Sequence, residues 1–429
     1  MRTRELLRKD LAELAASRAW WLLLVVVSLL VGQAFIRAVH AYAEMSAPNA
    51  LAQALSPLDG IVVPTLGAYE LAIMLLFPFV AIRLVATERD TGALKIVLQW
   101  PVTRAQIVSA KAATLLLAWL ISLIPCAVAM ILWRAYGGHL DAAEIANVLA
   151  GYTLRFLLTA TLSMLAAALL PGAANAAVAV LAFTIGTWAL DFLGPGRGGA
   201  IERLAAYTPA AVSRSFERGL FRIDVVLVLL LLSIVAIALT AIWLHLGATV
   251  MHRMTRTAFV CAIAAILVIV AANVQQSFDA SENRRNSFAP AEARALSRIG
   301  DTLQLTVRLA PEDPRLADLE NNVLVKLRRE MRVDVHYPLA GRTGLFDDDA
   351  RYGTIEYRLG EKRAVNRSTT EAIVIGTICE LAGVAVPSAE EPEYGGHPLR
   401  ARPRGAAWIF YAILPAITLL AARRSRRTG

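Results

Sequence analysis

Eight long apolar windows limit this chain to one broad class of fold. Residues 20–35 read WWLLLVVVSLLVGQAF and residues 225–239 read VVLVLLLLSIVAIAL, and a helix needs about 20 mostly apolar residues to cross a bilayer. The windows lie at residues 18–37, 68–86, 107–133, 148–170, 173–193, 225–246, 257–274 and 406–422. The sequence therefore predicts an α-helical polytopic membrane protein with about eight transmembrane helices.

The composition and the missing motifs exclude several classes of function. Hydrophobic residues make up 57% of the 429 residues and charged residues only 18%, which excludes a purely cytosolic enzyme. Three cysteines are too few for a secreted disulfide scaffold. The sequence has no phosphate-binding loop of the form G-x-x-x-x-G-K-[ST] and no cluster with metal or catalytic spacing. We therefore expect no catalytic residue, cofactor or metal on this chain, and a membrane-embedded enzyme is disfavoured.

Lysine and arginine residues predict the orientation of the spans, because short cytoplasmic loops are enriched in them. They concentrate before the first span, between the second and third, after the sixth and after the eighth, whereas residues 38–67 contain none. The pattern predicts that both termini are cytoplasmic, although five arginines lie in residues 194–222 on the opposite side. The net charge of +9 is interpreted as a topology signal and not as a nucleic-acid-binding surface.

Residues 1–17 are predicted to form an amphipathic helix on the cytoplasmic membrane surface. Leu7, Leu11 and Leu14 recur at helical spacing, and the charged side chains occupy the other faces. The alternative is that these residues are the first turns of the first span and carry solvated charges.

Residues 275–405 form the one long polar stretch, which lies outside in the predicted topology. Alternating and helical patterns within it predict a strand, a helix, two strands and a helix, at residues 302–309, 313–331, 332–337, 353–359 and 369–381. Polar linkers are predicted at residues 279–300 and 388–404. The stretch is therefore predicted to be a small extracytoplasmic α/β domain between the last two spans.

Candidate chemistry in this domain is sparse. Asp347, Asp348 and Asp349 could bind a cation, but a solvated loop is the favoured interpretation. His336 has no second ligand at metal spacing. Cys379 is expected to be buried, and no disulfide is predicted. The domain is interpreted as a binding or coupling module.

The loop between the second and third spans has the most specific pattern in the chain. It reads ERDTGALKIVLQWPVTRAQI at residues 88–107. The apolar spacing predicts a short helix at the membrane surface, which Pro101 ends. Thr103 and Gln106 form a capping box that begins the helix of the third span. On local chemistry alone, an ordinary surface loop is the alternative.

This segment resembles the coupling helix of ABC type-2 exporter permeases, in which an acidic and basic start, Gly-Ala-Leu and a run of aliphatic residues precede Pro-Val-Thr-Arg. Lys95 and the pair Gln99-Trp100 are mild departures from the family pattern. The resemblance implies that a separate cytoplasmic ABC ATPase, which carries ATP and magnesium, docks on this loop. The residues it places in that contact are Glu88, Arg89, Thr91, Gly92, Leu94, Lys95, Pro101 and Arg104. It also implies a homodimer or a paired permease in the bacterial inner membrane, surrounded by membrane lipid.

A second segment is similar to the outer re-entrant region of the same permeases. It reads Tyr207-Thr208-Pro209 and then Phe216-Glu217-Arg218-Gly219. The residues that the resemblance singles out are Pro209, Phe216, Arg218 and Gly219. A membrane-dipping hairpin there would explain the arginines on the outer side. With this region, residues 18–250 are expected to form a six-span permease core.

The rest of the chain resembles the auxiliary component of gliding-motility-type ABC systems. Its parts would be a seventh span at 257–274, the outer domain at 275–405, an eighth span at 406–422 and a basic cytoplasmic tail at 423–429. The likeness rests on residues 303–309, 332–338 and 352–357, and on Glu371 at the start of the second helix. Together the resemblances imply a permease of the gliding-motility or copper-maturation kind fused to a reduced auxiliary domain, which exports a substrate or transmits force to an envelope or periplasmic protein.

Arg155 is the most deeply placed charge in the predicted spans. A charge inside a membrane favours a functional role, but a long arginine side chain can instead extend to the interface. Glu70 and Asp191 are expected near the outer ends of their spans, close to water.

A function of a different class is also compatible with the sequence. The chain could be a membrane-anchored sensor or structural protein whose outer domain binds a ligand or an envelope protein, with no ATPase partner. The two hypotheses differ in whether an ATPase copurifies with the chain.

Overall fold

The computed structural model describes residues 2–47, 55–97, 102–193, 199–245, 247–274, 276–310, 313–339, 351–385 and 394–428. Within these residues, eight helices are long and apolar enough to cross a membrane. Spans 1 to 8 are Arg18–Met45, Leu58–Asp90, Arg104–Ala135, Ala142–Leu169, Ala173–Leu193, Ile223–Trp243, Val250–Ala272 and Ala406–Ser425. The predicted α-helical fold with about eight spans is confirmed.

Span 2 is longer than the hydropathy pattern predicts. It begins with a π-helical turn at Leu58–Val62, rather than at residue 68. Asp59, Gly60 and Pro64 give this stretch the composition of a loop, yet its apolar residues are buried. Pro64 lies in the first turn of the following α-helix, where a missing backbone N–H costs nothing. The extra turns place the residues in the first half of span 2 farther from the first end of that helix.

The first compact unit comprises Met1–Ile185, Asp224–Val274 and Gly395–Gly429. Aromatic rings join spans 2, 3 and 4 in its core. Phe77 meets Phe156 edge to face with ring centroids 4.9 Å apart, and Trp119 stacks on the same ring at 5.3 Å. Such pairs stabilise a core beyond the apolar area that they bury.

Span 8 packs directly against span 1 within this unit. A Cβ atom at Gly32 would lie 2.3 Å from the Cβ atom of Phe410, so only glycine permits this approach. The Ser28 hydroxyl donates a hydrogen bond of 3.0 Å to the Phe410 carbonyl oxygen. The last span, which the sequence assigns to an auxiliary part, therefore contacts the first span of the permease core.

Several chain segments meet at one end of the first unit. The N-terminal helix, Arg2–Ala16, precedes span 1, and Ser425 donates a hydrogen bond of 2.9 Å to the Ala15 carbonyl oxygen. Arg89, which lies after the apolar part of span 2, donates to the Leu170 carbonyl oxygen at 2.8 Å. This arrangement agrees with the prediction that the N-terminus, the loop after span 2, the turn after span 4 and the C-terminus share one side. That this side is cytoplasmic stays a prediction.

The second compact unit combines Gly186–Ile223 with Gln275–Tyr394. The two segments are joined by an antiparallel ribbon of β1, Leu220–Arg222, and β2, Ser277–Asp279. A separate four-stranded sheet contains β3 to β6, at Leu303–Val307, Val333–His336, Ile355–Leu359 and Lys362–Asn366. Its order is β4-β3-β5-β6, with β3 and β4 parallel and the other pairs antiparallel.

The helices of the second unit are short. They lie at Gly199–Ala205, Pro209–Glu217, Pro290–Ser297, Pro314–Asp318, Val325–Glu330 and Glu371–Ala382, with a π-helical turn at Leu319–Leu324. The predicted apolar face of residues 313–331 is confirmed, because Leu316, Leu319, Val323 and Leu327 are all buried against the sheet core. The predicted strands and helices of the α/β domain are likewise present, with boundaries shifted by a few residues.

Two elements of this unit have no counterpart in the predicted pattern. The strand β6 reads KRAVN and is mostly exposed. Its side chains are largely polar, so the sequence shows no alternating pattern that would predict its pairing with β5. The helix Pro290–Ser297 falls in the predicted linker at 279–300, which is therefore wrong as a linker, and this helix buries Leu296 completely. A short helix with one buried leucine leaves little periodic signal.

The remaining predictions for the outer segment have mixed outcomes. Cys379 is buried as predicted, and the thiols of Cys126, Cys261 and Cys379 are free. His336 is exposed on β4. Asp347, Asp348 and Asp349 lie outside the described residues, as does the part of the predicted linker at 386–393. The following segment is held in place, because His397 donates its backbone N–H to the Leu55 carbonyl oxygen at 2.9 Å.

Candidate functional site

The loop between spans 2 and 3 contains the predicted short helix, at Ala93–Val97. Gly92 precedes it with a φ of 76°, a left-handed conformation that favours glycine. The predicted capping box is confirmed: the Gln106 N–H donates to the Thr103 hydroxyl at 3.3 Å, and the Thr103 N–H donates to the Gln106 side chain at 2.9 Å. The described part of the loop is thus a short helix that Gly92 precedes and a capping box that begins span 3.

The predicted contact residues of this loop differ in exposure. Thr91 and Arg104 are exposed, whereas Glu88 is buried. The side chains of Leu94 and Lys95, and the whole of Pro101, lie outside the described residues. Ile96, which the sequence pattern does not single out, is 63% exposed.

The N-terminal helix packs directly on the short loop helix. Leu6 from the N-terminal helix and Val97 from the loop share a buried apolar cluster with Ile107 and Ala110 of span 3. The prediction of a helix at residues 1–17 is confirmed in its extent, Arg2–Ala16. Its buried face contains Leu6 and Leu14, so this helix is a packed part of the first unit.

A buried ion network lies beneath this cluster. The ammonium group of Lys111 is 2.8 Å from the Glu88 carboxylate, 3.4 Å from Asp10 and 3.1 Å from the Leu84 carbonyl oxygen. Lys111 has a side-chain exposure of 1%, and Glu88 and Asp10 each have 3%. Lys9 also binds Glu88 from the more exposed side. The network therefore ties the N-terminal helix to the ends of spans 2 and 3.

The position of Asp10 differs from the prediction. The charged side chains of the N-terminal helix are expected on the faces away from its apolar face. Asp10 shares the buried face because Lys111 of span 3 supplies an opposite charge. Burial raises the pKa of the Asp10 carboxyl, and the positive charge of Lys111 opposes that rise. Burial alone would lower the pKa of Lys9, but its hydrogen bond to Glu88 and the nearby carboxylates raise it above the ordinary value. A buried charge of this kind needs its partner in place.

The same carboxylates form a group that could hold a metal ion. Ligand oxygens of Asp10, Glu13 and Glu88 lie within 4.8 Å of one another. The ammonium groups of Lys9 and Lys111 already balance this negative charge. The arrangement is that of an ion-pair network, in which the lysines are the counter-ions.

Arg89 links the loop to another helix. Its guanidinium donates hydrogen bonds of 2.9 Å and 2.8 Å to the carbonyl oxygens of Ala167 and Leu170. These are the last carbonyls of span 4, which have no partner within the helix and attract a positive charge. A displacement of the loop at Arg89 would therefore act on span 4 as well as on spans 2 and 3.

Residues 4–196 match the family model described as ABC-2 family transporter protein. The matched region contains the N-terminal helix from Arg4 onward, spans 1 to 5 and the whole loop between spans 2 and 3. The match covers less than half of the 429 residues, so it shows that this region is similar to the membrane component of ABC-2 transporters, which is generally non-catalytic. With eight candidate spans, the chain is a multi-pass membrane protein. An ABC-2 permease in general implies a partner ABC ATPase. No curated protein and no solved structure gives a significant match.

The matched region also contains a buried ion pair that the sequence pattern does not reveal. Arg155 of span 4 has its Nε atom 3.0 Å from Oε1 of Glu70 in span 2, and both side chains are buried. The expectation that Glu70 lies near water at the outer end of its span is wrong, because span 2 begins at Leu58. The alternative that Arg155 extends to the interface is also wrong, since Glu70 meets it inside the bundle.

The residues assigned to the outer re-entrant region lie beyond the ABC-2 match, in the second unit. Pro209 begins a helix that Thr208 caps, and Phe216 is fully buried near its end. Arg218 ends that helix, and its carbonyl oxygen accepts a hydrogen bond of 2.7 Å from Asn286. Gly219 has a φ of 81°, and a Cβ atom there would lie 2.7 Å from Ser281. These four residues therefore form the base on which β1 pairs with β2.

Asp191 and Arg214 form an ion pair beside that helix. Two hydrogen bonds connect the guanidinium and the carboxylate, the Nη1 bond being 2.6 Å long. A bidentate arginine–carboxylate pair fixes orientation as well as charge. The expected position of Asp191 near a span end agrees with its partial exposure.

Proposed function

We propose that this chain is the permease subunit of an ABC transporter and that a separate cytoplasmic ABC ATPase docks on residues 88–104. The observation that carries the proposal is the buried connection beneath that loop. Lys111, Glu88 and Asp10 join three helices in one network, and Leu6 packs on the loop through Val97. A force applied to the loop helix would reach the spans through contacts that resist deformation.

The loop has separate connections to three spans. Gly92 follows span 2 directly, the capping box at Thr103 begins span 3, and Arg89 binds the end of span 4. Closure of an ATPase dimer would push the loop helix and shift these spans between two states, so that the permease transmits energy that its partner releases. Glu88 is buried, and so its role in this scheme is to hold the loop rather than to meet the ATPase.

The output of the cycle is export of a substrate or force transmission to an envelope protein. The sheet-containing second unit supports the latter, since β4 is an edge strand and its His336 is exposed. A homodimer or paired permease would cover the exposed small residues of span 5, which favour close helix packing and include Ala173, Ala174, Ala182 and Gly186. Ala176 and Ala177 of the same span are already buried within the chain. The gliding-motility or copper-maturation subtype and the fused auxiliary domain belong to this proposal, as do the bacterial inner membrane and cytoplasmic termini.

Copurification from native membranes in mild detergent tests the docking. Ile96 is the exposed apolar residue of the loop helix, and Ile96→Asp should reduce the ATPase recovered by at least about tenfold, as expected for an apolar anchor at an interface. Val365→Asp is the matched control, because this aliphatic residue is 65% exposed on β6. It should leave ATPase recovery unchanged.

Two results would contradict the proposal. If the unaltered chain brings down no ATPase, the sensor or anchor function is the better explanation. If Ile96→Asp and Val365→Asp recover equal amounts of ATPase, docking does not occur on the loop helix.

A further inference from the structure

A basic pocket lies at the ends of three spans in the first unit. It is a cavity of about 190 Å³. The charged or titratable side chains that line it are Arg104, His245, His252, Arg253 and Arg256. Arg104 begins span 3, His245 follows span 6, and the other three belong to the first turns of span 7. Ends of membrane spans lie near the lipid headgroups, so the pocket lies where headgroups are found.

Among the described residues, no carboxylate balances the positive charge of this basic pocket. In the described part of the chain, none of Arg104, Arg253 and Arg256 forms a salt bridge with a carboxylate. Arg253 donates from Nη2 to the His245 carbonyl oxygen at 2.5 Å, while its Nε atom is buried without an acceptor. A buried donor without a partner is costly, and an anionic oxygen in the cavity would satisfy it.

The pKa of His245 is consistent with the same excess of positive charge. Its pKa lies below the ordinary value, through desolvation and through the nearby charges of Arg104, Arg256 and Arg253. A neutral histidine beside three guanidinium groups can still donate one hydrogen bond to an anion. The pocket therefore offers several donors that converge from three helices, which is the chemistry of a phosphate site.

An exposed apolar stripe on span 7 begins next to the basic pocket. Positions that follow His252 and Arg256 at alternating spacings of three and four residues share one helix face, and they are Phe259, Ile263, Ile266 and Val270. All four are exposed, Phe259 by 68%, as are Leu267 and Ile269 on other faces of the same span. Cationic side chains at the end of a helix are thus followed by an apolar face along the hydrocarbon region.

We propose that the basic pocket binds the phosphate group of an anionic phospholipid, with an acyl chain along the apolar stripe of span 7. A basic cavity between spans is the kind of site that takes an anionic headgroup. The apolar stripe favours a lipid over free phosphate, because a lipid bound in the pocket would place an acyl chain against the stripe, whereas free phosphate would not contact it. The stripe also favours a lipid over an acidic protein surface, because such a surface would contact only the charged end of span 7.

Native mass spectrometry of the full-length chain, released from detergent, tests the site. The probes are dioleoyl phosphatidylglycerol and dioleoyl phosphatidylcholine, which share acyl chains and differ in net charge. The unaltered chain should retain phosphatidylglycerol in preference to phosphatidylcholine. Arg253→Gln with Arg256→Gln should weaken phosphatidylglycerol binding about 25-fold, since each arginine near an anionic lipid contributes about fivefold.

Two further variants separate the basic pocket from general effects. Arg4→Gln with Arg8→Gln removes the same charge from exposed positions on the N-terminal helix and should change the preference much less, because neither arginine lines the pocket. Arg256→Gln alone alters an exposed side chain, so it should keep the unfolding temperature while reducing phosphatidylglycerol binding about fivefold.

Four outcomes would overturn the proposal. Equal retention of the two lipids by the unaltered chain would show that the pocket has no preference for an anionic headgroup. Equal losses in the two double variants would assign the effect to overall charge. If millimolar inorganic phosphate displaces phosphatidylglycerol and binds as well by itself, the pocket takes a free anion. Loss of lipid on addition of the ATPase, with the ATPase cross-linked to Arg256→Cys, would assign the pocket to protein docking.

Discussion

The Nε atom of Arg155 lies 3.0 Å from Oε1 of Glu70, and this ion pair joins span 4 to span 2 inside the helical bundle. Arg155 also approaches the Met74 sulfur, from Nη2, at 2.6 Å. A charge inside a membrane is costly unless a partner compensates it. The pair therefore links spans 2 and 4 at a defined position along their lengths.

Glu70→Gln should destabilise the protein more than removal of the whole pair. The single variant leaves the Arg155 guanidinium buried without its opposite charge, which costs about 3–5 kcal/mol. Glu70→Leu with Arg155→Met should recover most of this loss, because apolar residues of similar volume need no counter-ion. Unfolding in detergent measures both. Glu44→Gln, at an exposed position on span 1, is the control, and equal stability losses in the single and double variants would refute the pairing.

Lys111→Met should release the N-terminal helix from the bundle. The substitution leaves the Glu88 and Asp10 carboxylates buried with only Lys9 nearby, so a loss of about 3 kcal/mol or more is expected. Hydrogen exchange in residues 4–16 should accelerate accordingly. Lys9→Met is the matched comparison, because Lys9 is 36% exposed and its loss should cost no more than about 1 kcal/mol. Equal exchange in the two variants would contradict a central role for Lys111.

Gly92→Glu should uncouple the ATPase from the permease. Among the described residues, no heavy atom lies within 4 Å of a Cβ atom built at Gly92, so the new side chain would project from the loop without a clash with them. Its positive φ adds a strain of about 1–2 kcal/mol. Gly137→Glu shares both conditions, with a φ of 90° and open space, and lies in the loop after span 3. Both variants should insert into membranes, and only Gly92→Glu should lose permease-stimulated ATP hydrolysis. Equal stimulation in both would rule out the loop as the docking site.

Local patterns account for what the sequence predicts correctly. The spans, the capping box at Thr103 and the strands β3 and β5 each depend on residues close together in the chain. Apolar length, helical spacing and alternation are properties of such short stretches. They predict the elements well and their boundaries less well, as the early start of span 2 at Leu58 shows.

Pairings between distant residues are what the sequence alone does not reveal. Arg155 and Lys111 each find a carboxylate on another helix, and nothing in the residues around them specifies which one. The approach of Phe410 to Gly32 likewise depends on the packing of the first and last spans. The strand β6 pairs through its backbone, so its polar side chains give no alternation to detect.

Asp279 should give the second unit a stability that depends on pH. Burial raises the pKa of this carboxyl, but hydrogen bonds from Ser281, Ser287 and Asn286 outweigh burial and lower it below the ordinary value. A folded-state pKa below the unfolded one contributes stability above the unfolded value of about 3.9, and the contribution is lost as pH falls through the folded pKa. Hydrogen exchange in residues 276–288, corrected for its intrinsic pH dependence, should therefore rise below about pH 4.

Asp279→Asn should raise exchange in this segment already at pH 7 and flatten its pH dependence, whereas Asp301→Asn, at an exposed position, should do neither. Parallel profiles for the two variants would show that Asp279 does not hold this segment.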